Sequence, residues 1–288
     1  MTSAAGKPPI PKLAGVCGWP IHHSLSPILH SHWLREVGVR GAYVPFMVKP
    51  WEARTAFETL KKTTIAGLNV TLPLKMEAFL AADERTEDAQ RIGAANCLYV
   101  RRGKLIAHNT DLQGFSDPLR ARRSVDDLAA MSALVIGAGG AAKAVVGALL
   151  SLGVPEIMMV NRTDSKAEDL VAQAGLPSFY ALPWSSRQIA VQRADLIINA
   201  SSAGMAGYPA LDINLAKAPK TALIYDLVYT PEVTPLLGDA KANGLETIGG
   251  LDMLIGQARP SFQLFFGVSA PDSDPSDVLR SALASGRR

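Results

Sequence analysis

The 288-residue chain is poor in aromatic residues, in charge and in cysteine. Aromatic side chains make up 6% of it and charged side chains 19%, with a formal net charge of +3. Nucleic-acid-binding surfaces need clustered basic residues and stacking aromatic rings, so this composition argues against such a partner. The 48% apolar content suffices for a large core, and the length predicts about two domains.

Other function classes are excluded by what is missing. Cys17 and Cys97 lie far apart and belong to no C-x-x-C pair, so we expect neither a disulfide framework nor a zinc site. His30 and His32 are two residues apart on a predicted helix and point to different faces, which also argues against a metal site. The most apolar stretch, residues 133–160, is interrupted by a lysine, a Pro-Glu pair and glycines, so we expect no membrane span. The first residues contain no apolar signal-peptide core, and we therefore expect a cytoplasmic protein.

Short apolar segments alternate with helical patterns along the chain, which predicts an α/β fold. Residues 95–100 and 104–108 read as two paired strands joined by a tight turn. Charged and polar residues 121–131 mark one predicted domain junction, and the glycine pair at 249–250 marks a second.

The segment from Gly137 to Ala142 matches the pattern G-x-G-x-x-A. It follows a predicted strand and begins a predicted helix, which is the context that a dinucleotide-binding turn requires. The glycines permit a tight turn and a close approach of the backbone to a pyrophosphate, which the N–H groups of the helix start can bind. We therefore predict a dinucleotide site; the alternative is a glycine-rich turn without a ligand.

The end of the next strand indicates which dinucleotide. An NAD site usually has an Asp or Glu there for the ribose 2′-hydroxyl, but this chain has Asn161, Arg162 and Thr163. Arg162 and, one turn later, Lys166 can bind a 2′-phosphate, which favours NADP. The alternatives are solvated side chains and dual cofactor specificity.

Polar residues in the first half of the chain form a second candidate site. Ser24 and Ser26 precede a helix, although Ser26 before a proline is also typical of an N-cap. Asn69 and Thr71 follow a strand, where α/β proteins bind ligands. Pro73 is expected to begin a helix with Lys75 in its first turn, where a cation opposes the helix dipole; the alternative is a solvated lysine.

Three further polar residues have open interpretations. Asp111 precedes a predicted helix and is either a functional carboxylate or an N-cap. Asn96 lies among small residues. Gln257 lies in an otherwise apolar helix and either faces solvent or reaches a ligand.

Nine segments, in this order, resemble the shikimate dehydrogenase family, which includes quinate/shikimate dehydrogenases. The resemblance covers most of the chain and is carried by GWPIHHSLSP (18–27), GLNVTLPLK (67–75), GAAN (93–96), NTD (109–111), GAGGAA (137–142), NRT (161–163), NASSAGM (199–205), DLVYTP (226–231) and GGLDMLIGQ (249–257).

The resemblance implies two α/β domains with a cleft between them. An open α/β domain of residues 1–117 and 250–288 would bind the substrate, and a Rossmann-type domain of residues 118–249 would bind NADP. The family's catalytic pair falls on Lys75 and Asp111. The remaining family positions would bind the substrate at Ser24, Ser26, Asn69, Thr71, Asn96, Tyr229 and Gln257, and the cofactor at Gly137, Ala138, Gly139, Gly140, Ala141, Asn161, Arg162, Thr163, Lys166, Met205, Leu227 and Gly250.

The implied activity is the reversible, NADP-dependent reduction of 3-dehydroshikimate to shikimate in aromatic amino-acid biosynthesis. The implied partner is this small-molecule substrate, with no nucleic acid or membrane, and the chain would be a monomer or homodimer. Two alternatives remain: a dehydrogenase of quinate or an aminated shikimate that uses NAD or NADP, and a non-catalytic dinucleotide-binding regulator. Lys166 stands where the family more often has arginine, which weakens bidentate phosphate binding there.

Overall fold

The computed structural model describes residues 10–286, which form two compact units. Unit 1 runs from the first described residue to His108 and includes Arg259–Val278; unit 2 comprises Asn109–Ala258 and the described residues from Leu279 onward. Unit 2 thus begins nine residues before the predicted 118–249 domain and ends nine residues after it. Residues 1–9 and 287–288 of the predicted first domain lie outside the described residues.

Unit 1 is built on a six-stranded mixed sheet in the order β2-β1-β3-β5-β6-β4. β1, β2 and β3 are parallel, whereas β5 and β6 form an antiparallel hairpin. Arg102 and Gly103 join the hairpin with φ values of 53° and 75°, as a two-residue turn with left-handed backbone requires. The strands are β1 (Lys12–Gly18), β2 (Gly41–Met47), β3 (Ile65–Val70), β4 (Glu84–Arg85), β5 (Cys97–Arg101) and β6 (Lys104–His108).

Four helices accompany these strands in sequence: α1 (Ser26–Glu36), α2 (Ala53–Thr59), α3 (Lys75–Ala81) and α4 (Glu87–Ile92). One core of this unit is made by the buried residues Phe57, Leu68, Leu74 and Leu98 and their neighbours. Each such side chain contributes about 1.5–3 kcal/mol by leaving water.

Unit 2 contains a six-stranded parallel sheet in the order β12-β11-β10-β7-β8-β9. Its central strands are apolar and fully buried, as expected where helices cover both faces of a parallel sheet. This is the strand order of a dinucleotide-binding Rossmann fold, with β7 as its first strand. The strands are β7 (Ser132–Ile136), β8 (Glu156–Val160), β9 (Phe179–Ala181), β10 (Leu196–Asn199), β11 (Leu223–Asp226) and β12 (Glu246–Ile248).

Eight further α-helices lie among the described residues that follow β6. The chain passes from unit 2 back to unit 1 within α11, after Ala258. In order, the helices are α5 (Asp111–Arg120), α6 (Val125–Leu128), α7 (Gly140–Ser151), α8 (Asp164–Ala174), α9 (Arg187–Arg193), α10 (Pro235–Ala242), α11 (Gly250–Phe266) and α12 (Ser276–Ala284). Within the described range, every helix is too short or too polar to cross a bilayer.

The predicted α/β class, with a Rossmann-type second part, is confirmed. The predicted start of α3 is wrong: this helix begins at Lys75 and not at Pro73. The sequence patterns also gave no indication of β4 and β9. Strands of two and three residues are too short to show an alternation of apolar and polar residues.

Candidate active site

One edge of the unit 1 sheet collects most of the polar residues that the sequence singled out. β1 and β3 are parallel, so their carboxyl ends meet there, and the register pairs Cys17 with Val70. β5 is antiparallel to β3, and Cys97 at its start lies opposite both Asn69 and His108. The same edge therefore carries the segments that contain Ser24, Ser26, Asn69, Thr71, Lys75 and Asn96.

Asn69 is the most constrained of these residues. It is 5% exposed. Its Oδ1 accepts a hydrogen bond from the Tyr43 hydroxyl at 2.8 Å, and its Nδ2 donates to Ser261 Oγ at 2.8 Å and to the Asn96 carbonyl oxygen at 3.2 Å. Both amide hydrogens are thus used within the unit, and Oδ1 keeps one lone pair to accept a hydrogen bond from a ligand.

The two serines lie between β1 and α1. α1 begins at Ser26, with Leu25 in the N-cap position and no capping hydrogen bond from that residue's side chain. The interpretation of Ser26 as an N-cap is therefore wrong. The Ser26 side chain is buried, and the Ser24 hydroxyl accepts the Ser26 backbone N–H at 3.3 Å. Ser24 also lines an open cavity of about 480 Å³.

Lys75 begins α3 directly after a tight turn. The Thr71 N–H donates to the Cys17 carbonyl oxygen at 2.9 Å, and Leu74 N–H donates back to Thr71 at 3.0 Å. The Lys75 carbonyl oxygen accepts the Ala95 N–H at 3.0 Å, which ties this turn to the segment before Asn96. Lys75 is half-buried, and a cation at the first residue of a helix opposes the helix dipole, so stability alone does not explain this residue.

Asp111 begins α5 in unit 2. The N-cap position is Thr110, whose side chain makes no capping hydrogen bond, so the N-cap interpretation of Asp111 is also wrong. Asp111 is 6% exposed, and its backbone N–H donates to Asn109 Oδ1 at 2.9 Å. The N-cap role that was the alternative to a functional role is therefore ruled out for both Ser26 and Asp111.

Gln257 is half-buried on α11 in unit 2. Its Oε1 accepts a weak hydrogen bond from the Thr110 hydroxyl at 3.4 Å, and its Nε2 donates to the Leu254 carbonyl oxygen at 3.1 Å. A Cβ atom added at Gly114 would lie 2.6 Å from the Gln257 Cβ. The glycine on α5 thus lets the two helices approach, and this contact orients Gln257 beside the residue before Asp111.

The glycine-rich turn of unit 2 has the geometry that a pyrophosphate needs. Gly137 has a φ of +115°, and a Cβ there would lie 3.0 Å from the backbone at Ala200 and Ser201. Gly139 occupies the N-cap position of α7, and a Cβ there would meet no described atom within 4 Å. The free backbone of this turn therefore borders open space at the start of a 12-residue helix, as phosphate binding requires.

The residues after β8 suit the 2′-phosphate of NADP better than the ribose 2′-hydroxyl of NAD. Arg162, Thr163 and Lys166 are exposed, and Asn161 Nδ2 donates to the Thr163 carbonyl oxygen at 2.8 Å. The first acid after the strand is Asp164, whose carboxylate accepts the Trp184 N–H at 2.8 Å. The Asp164 carboxylate therefore already binds a group within unit 2, and the charged side chains that remain near the end of β8, Arg162 and Lys166, are cationic. The chain therefore fits NADP.

A second buried amide, Asn199, lies at the carboxyl edge of the unit 2 sheet beside Asp226. The two residues are paired in register and neither is exposed to solvent. Asp226 Oδ1 accepts Asn199 Nδ2 at 2.9 Å and Val228 N–H at 3.0 Å, and Oδ2 accepts the Thr234 hydroxyl at 2.6 Å. Burial raises the pKa of the Asp226 carboxyl above its usual value.

This Asn199–Asp226 cluster shapes the loops that carry the predicted nicotinamide-side residues. The Leu227 N–H donates to the Asn199 carbonyl oxygen at 3.1 Å, and Ala206 N–H, next to Met205, donates to Thr230, next to Tyr229. An added Cβ at Gly250 would lie 2.5 Å from the Leu227 carbonyl oxygen.

Sequence reasoning assigned no role to Asn199 or Asp226. The available signal was a polar residue directly after each apolar strand. No group of three or more His, Cys, Asp or Glu among residues 10–286 is arranged to hold a metal ion.

Family models match both parts of the chain. The model described as "Shikimate dehydrogenase substrate binding domain" matches residues 16–98, within unit 1. The model described as "Shikimate / quinate 5-dehydrogenase" matches residues 120–253, within unit 2.

Individual proteins are similar over nearly the full length. The shikimate dehydrogenase (NADP(+)) of Rhodospirillum rubrum is 43% identical over 94% of this chain and 96% of its own length. The shikimate 5-dehydrogenase of Thermus thermophilus, solved with NADP(H) and shikimate, aligns with a TM-score of 0.80 and 33% identity over 95% of this chain and 99% of that chain. The ligand-free 5-ketofructose reductase of a Gluconobacter strain aligns with a TM-score of 0.84 and 30% identity over 96% of this chain and 98% of that chain.

Proposed function

The chain belongs to the shikimate dehydrogenase family, and we propose that it catalyses the reversible, NADP-dependent reduction of 3-dehydroshikimate to shikimate. The observation that carries the proposal is that Lys75 and Asp111 each begin a helix without capping it. These are the two positions at which the family's catalytic pair falls. A regulator that only bound a dinucleotide would need neither side chain.

Lys75 and Asp111 have complementary roles in this reaction. Bound NADPH supplies the hydride, and the substrate's carbonyl oxygen then becomes negatively charged. The Lys75 ammonium group stabilises that charge and donates a proton to the oxygen. Asp111 supplies a carboxylate that accepts a hydrogen bond from a substrate hydroxyl. In the oxidation direction, the pair removes the proton from the hydroxyl group.

The remaining substrate contacts follow from the chemistry of shikimate, a carboxylate with ring hydroxyls. Ser24 and Ser26 donate hydroxyl hydrogens to the carboxylate. The ring oxygens are bound by amide, hydroxyl and phenol groups, which are supplied by Asn69, Thr71, Asn96, Tyr229 and Gln257. All of these residues except Tyr229 belong to the predicted substrate-binding domain of residues 1–117 and 250–288.

The predicted domain of residues 118–249 binds the cofactor. The turn of Gly137, Ala138, Gly139, Gly140 and Ala141 receives the pyrophosphate. Asn161, Arg162, Thr163 and Lys166 hold the 2′-phosphate end, while Met205, Leu227 and Gly250 border the nicotinamide. A cytoplasmic location and a monomeric or homodimeric state belong to the same proposal.

A substrate and cofactor matrix tests this function. The absorbance of the reduced nicotinamide is followed with NADP or NAD against shikimate, quinate and an aminated shikimate, and with NADPH against 5-ketofructose. We expect the highest kcat/KM with shikimate and NADP. Cofactor binding without turnover of any substrate would contradict the enzyme assignment, and a preference for quinate or for 5-ketofructose would replace the substrate.

Replacement of Lys75 tests the proton-transfer step. We expect Lys75→Ala to lower kcat by about 10²–10⁴-fold, the usual contribution of a general acid, with a smaller change in the KM for shikimate. Lys62→Ala is the matched control, because Lys62 is an exposed lysine of the same unit. Near wild-type turnover of Lys75→Ala would show that another group donates the proton.

A further inference from the structure

Two buried hydroxyl groups contact the two ends of the Asn69 amide in unit 1. Tyr43 projects from β2 and is 3% exposed, and Ser261 on α11 is fully buried. The Tyr43 hydroxyl donates to Asn69 Oδ1 at 2.8 Å, and Asn69 Nδ2 donates to Ser261 Oγ at 2.8 Å. Neither of the two is among the residues proposed above to bind substrate or cofactor. Asn69 is thus held from both ends by side chains without an assigned function.

A glycine in β3 allows Ser261 to reach Asn69. A Cβ atom added at Gly67 would lie 2.2 Å from the Phe265 ring, so α11 packs directly on this strand. Along the helix, Ser261 comes one turn before Phe265, a rise of about 6 Å. Along the strand, Asn69 is the next residue after Gly67 on the same face, a rise of about 6.6 Å. Because the two rises are similar, the packing of α11 on β3 brings Ser261 to Asn69.

The main chain at Asn96 fixes the orientation of the Asn69 amide. The Asn96 carbonyl oxygen accepts the Val70 N–H at 2.8 Å and Asn69 Nδ2 at 3.2 Å. A carbonyl oxygen can only accept, so a reversed amide would place Asn69 Oδ1 against it and bring two acceptors into contact. The orientation that satisfies all the contacts has Nδ2 toward Asn96 and Ser261 and Oδ1 toward the Tyr43 hydroxyl.

We infer that Tyr43 and Ser261 are positioning residues that hold the Asn69 amide as a hydrogen-bond acceptor for the substrate, an inference that rests on the proposed function. Both amide hydrogens are used within unit 1, so Asn69 offers a ligand one lone pair of Oδ1. That lone pair attracts a hydroxyl hydrogen and repels a carbonyl oxygen or a developing negative charge. Asn69 therefore selects a ring hydroxyl that the reaction leaves unchanged, and not the oxygen to which Lys75 donates the proton.

Tyr43→Phe and Ser261→Ala test the two contacts separately. Each substitution removes one hydroxyl, and the phenylalanine keeps the ring that stacks on His30 at a centroid distance of 3.9 Å. We expect each variant to raise the KM for shikimate about tenfold, the equivalent of one well-placed hydrogen bond, because the Asn69 amide is no longer held. The kcat and the KM for NADP should change by less than about threefold.

Two buried hydroxyl groups elsewhere provide matched controls. Tyr225 in unit 2 stacks on Phe115 at 4.9 Å, and its hydroxyl has no hydrogen-bond partner in the described part of the chain. Ser276 in unit 1 is 8% exposed, and its hydroxyl donates to Asp274 Oδ1 at 2.6 Å. Tyr225→Phe and Ser276→Ala should leave all three constants unchanged, although Ser276→Ala loses a hydrogen bond as Ser261→Ala does.

Fluorinated substrates separate positioning from a general loss of structure. Fluorine is similar in size to a hydroxyl but cannot donate a hydrogen bond. Two shikimate analogues carry fluorine at one or the other of the ring positions that the reaction leaves unchanged. With one of them, Tyr43→Phe and Ser261→Ala should raise the KM by less than about threefold, because the hydrogen bond that they support is already absent. An equal factor with shikimate and with both analogues would overturn the inference.

The inference and the proposed function fail in different ways. A wild-type enzyme that neither binds nor oxidises shikimate contradicts both. An active wild type whose two variants keep the wild-type KM for shikimate contradicts the inference alone, as do equal losses in kcat and in both KM values with a lower melting temperature. Each variant tests the inference by itself if the other does not fold. Should neither fold, a wild-type KM that fluorine leaves unchanged at both positions would overturn the inference.

Discussion

Asn69 in unit 1 and Asn199 in unit 2 occupy comparable places, each at or next to the carboxyl end of a buried strand. Both amides are buried and hydrogen-bonded to neighbouring segments. Their partners differ. Asn69 is held by neutral groups, a phenol, a serine hydroxyl and a carbonyl oxygen, whereas Asn199 donates to the carboxyl group of Asp226.

One titratable group in each region contributes to the pH dependence of stability, and the two contributions have opposite sign. Burial lowers the pKa of His30, whose ring stacks on that of Tyr43, from 6.5 to about 3. The folded state then lacks the proton that the unfolded chain binds, so stability is lost as the pH falls below 6.5 toward 3. Burial raises the pKa of Asp226 above 3.8. There the folded state keeps the proton longer, and stability is lost as the pH rises through the raised pKa.

The largest effect is expected for His30, whose neutral state makes the folded protein less stable at acidic pH. His30→Phe keeps a ring against Tyr43 and removes the group that must stay neutral. Between about pH 7 and pH 4, we expect the free energy of unfolding of the wild type to fall by about 3 kcal/mol more than that of the variant, at about 1.4 kcal/mol per pH unit. Chemical denaturation at a series of pH values measures both slopes. The exposed His22, replaced by Gln, is the control, and parallel curves for His30→Phe and wild type would refute the assignment.

An intermediate effect is expected in unit 2. Asp226→Ala leaves the Asn199 amide, the Val228 N–H and the Thr234 hydroxyl without their acceptor. We expect the free energy of unfolding at pH 7 to fall by about 2 kcal/mol, and the KM for NADP to rise because the loops after β10 and β11 lose their support. Urea unfolding and steady-state kinetics measure the two effects. Asp126→Ala, at an exposed carboxylate on α6, should change neither.

The smallest effect on stability is expected for Gly139→Ala, which tests whether the backbone of the glycine-rich turn binds the pyrophosphate. The proposed carboxylate site in unit 1 would use hydroxyl groups, whereas the proposed pyrophosphate site in unit 2 would use main-chain N–H groups. Gly139 has an extended backbone with a φ of −91°, so Gly139→Ala should change the unfolding free energy by less than about 0.5 kcal/mol. The new methyl group nevertheless fills the space of the phosphates, and we expect the KM for NADP to rise about tenfold.

Gly238→Ala is the control for Gly139→Ala. Gly238 lies in α10, and an added Cβ would meet no described atom within 4 Å. The substitution should leave the KM for NADP unchanged. Similar kinetics for the two variants would contradict a pyrophosphate at Gly139.

The sequence was most informative where local rules act alone. The hairpin of β5 and β6, the strand–glycine–helix unit of β7 and α7, and the missing acid after β8 all depend on residues that are neighbours along the chain. Turn propensities, glycine conformations and strand periodicity therefore predicted them.

The N-cap alternatives for Ser26 and Asp111 were wrong for a local reason. Ser26 and Asp111 have the residue types of N-caps, but the helices begin one residue earlier than that interpretation requires, with Leu25 and Thr110 in the cap positions. The preference of a residue for the cap position is worth only about 1 kcal/mol, which the surrounding packing readily overrides.

Residue types and their spacing were sufficient to indicate the α/β class, the dinucleotide turn and the preference for a 2′-phosphate. The bonding of Asn69 to Tyr43 and Ser261, and of Asn199 to Asp226, was decided by the tertiary structure. These partners are 26, 192 and 27 residues apart, and they meet because strand register and helix packing bring them together. No local preference encodes such a meeting, since its free energy comes from burial and from hydrogen bonds that exist only in the folded chain.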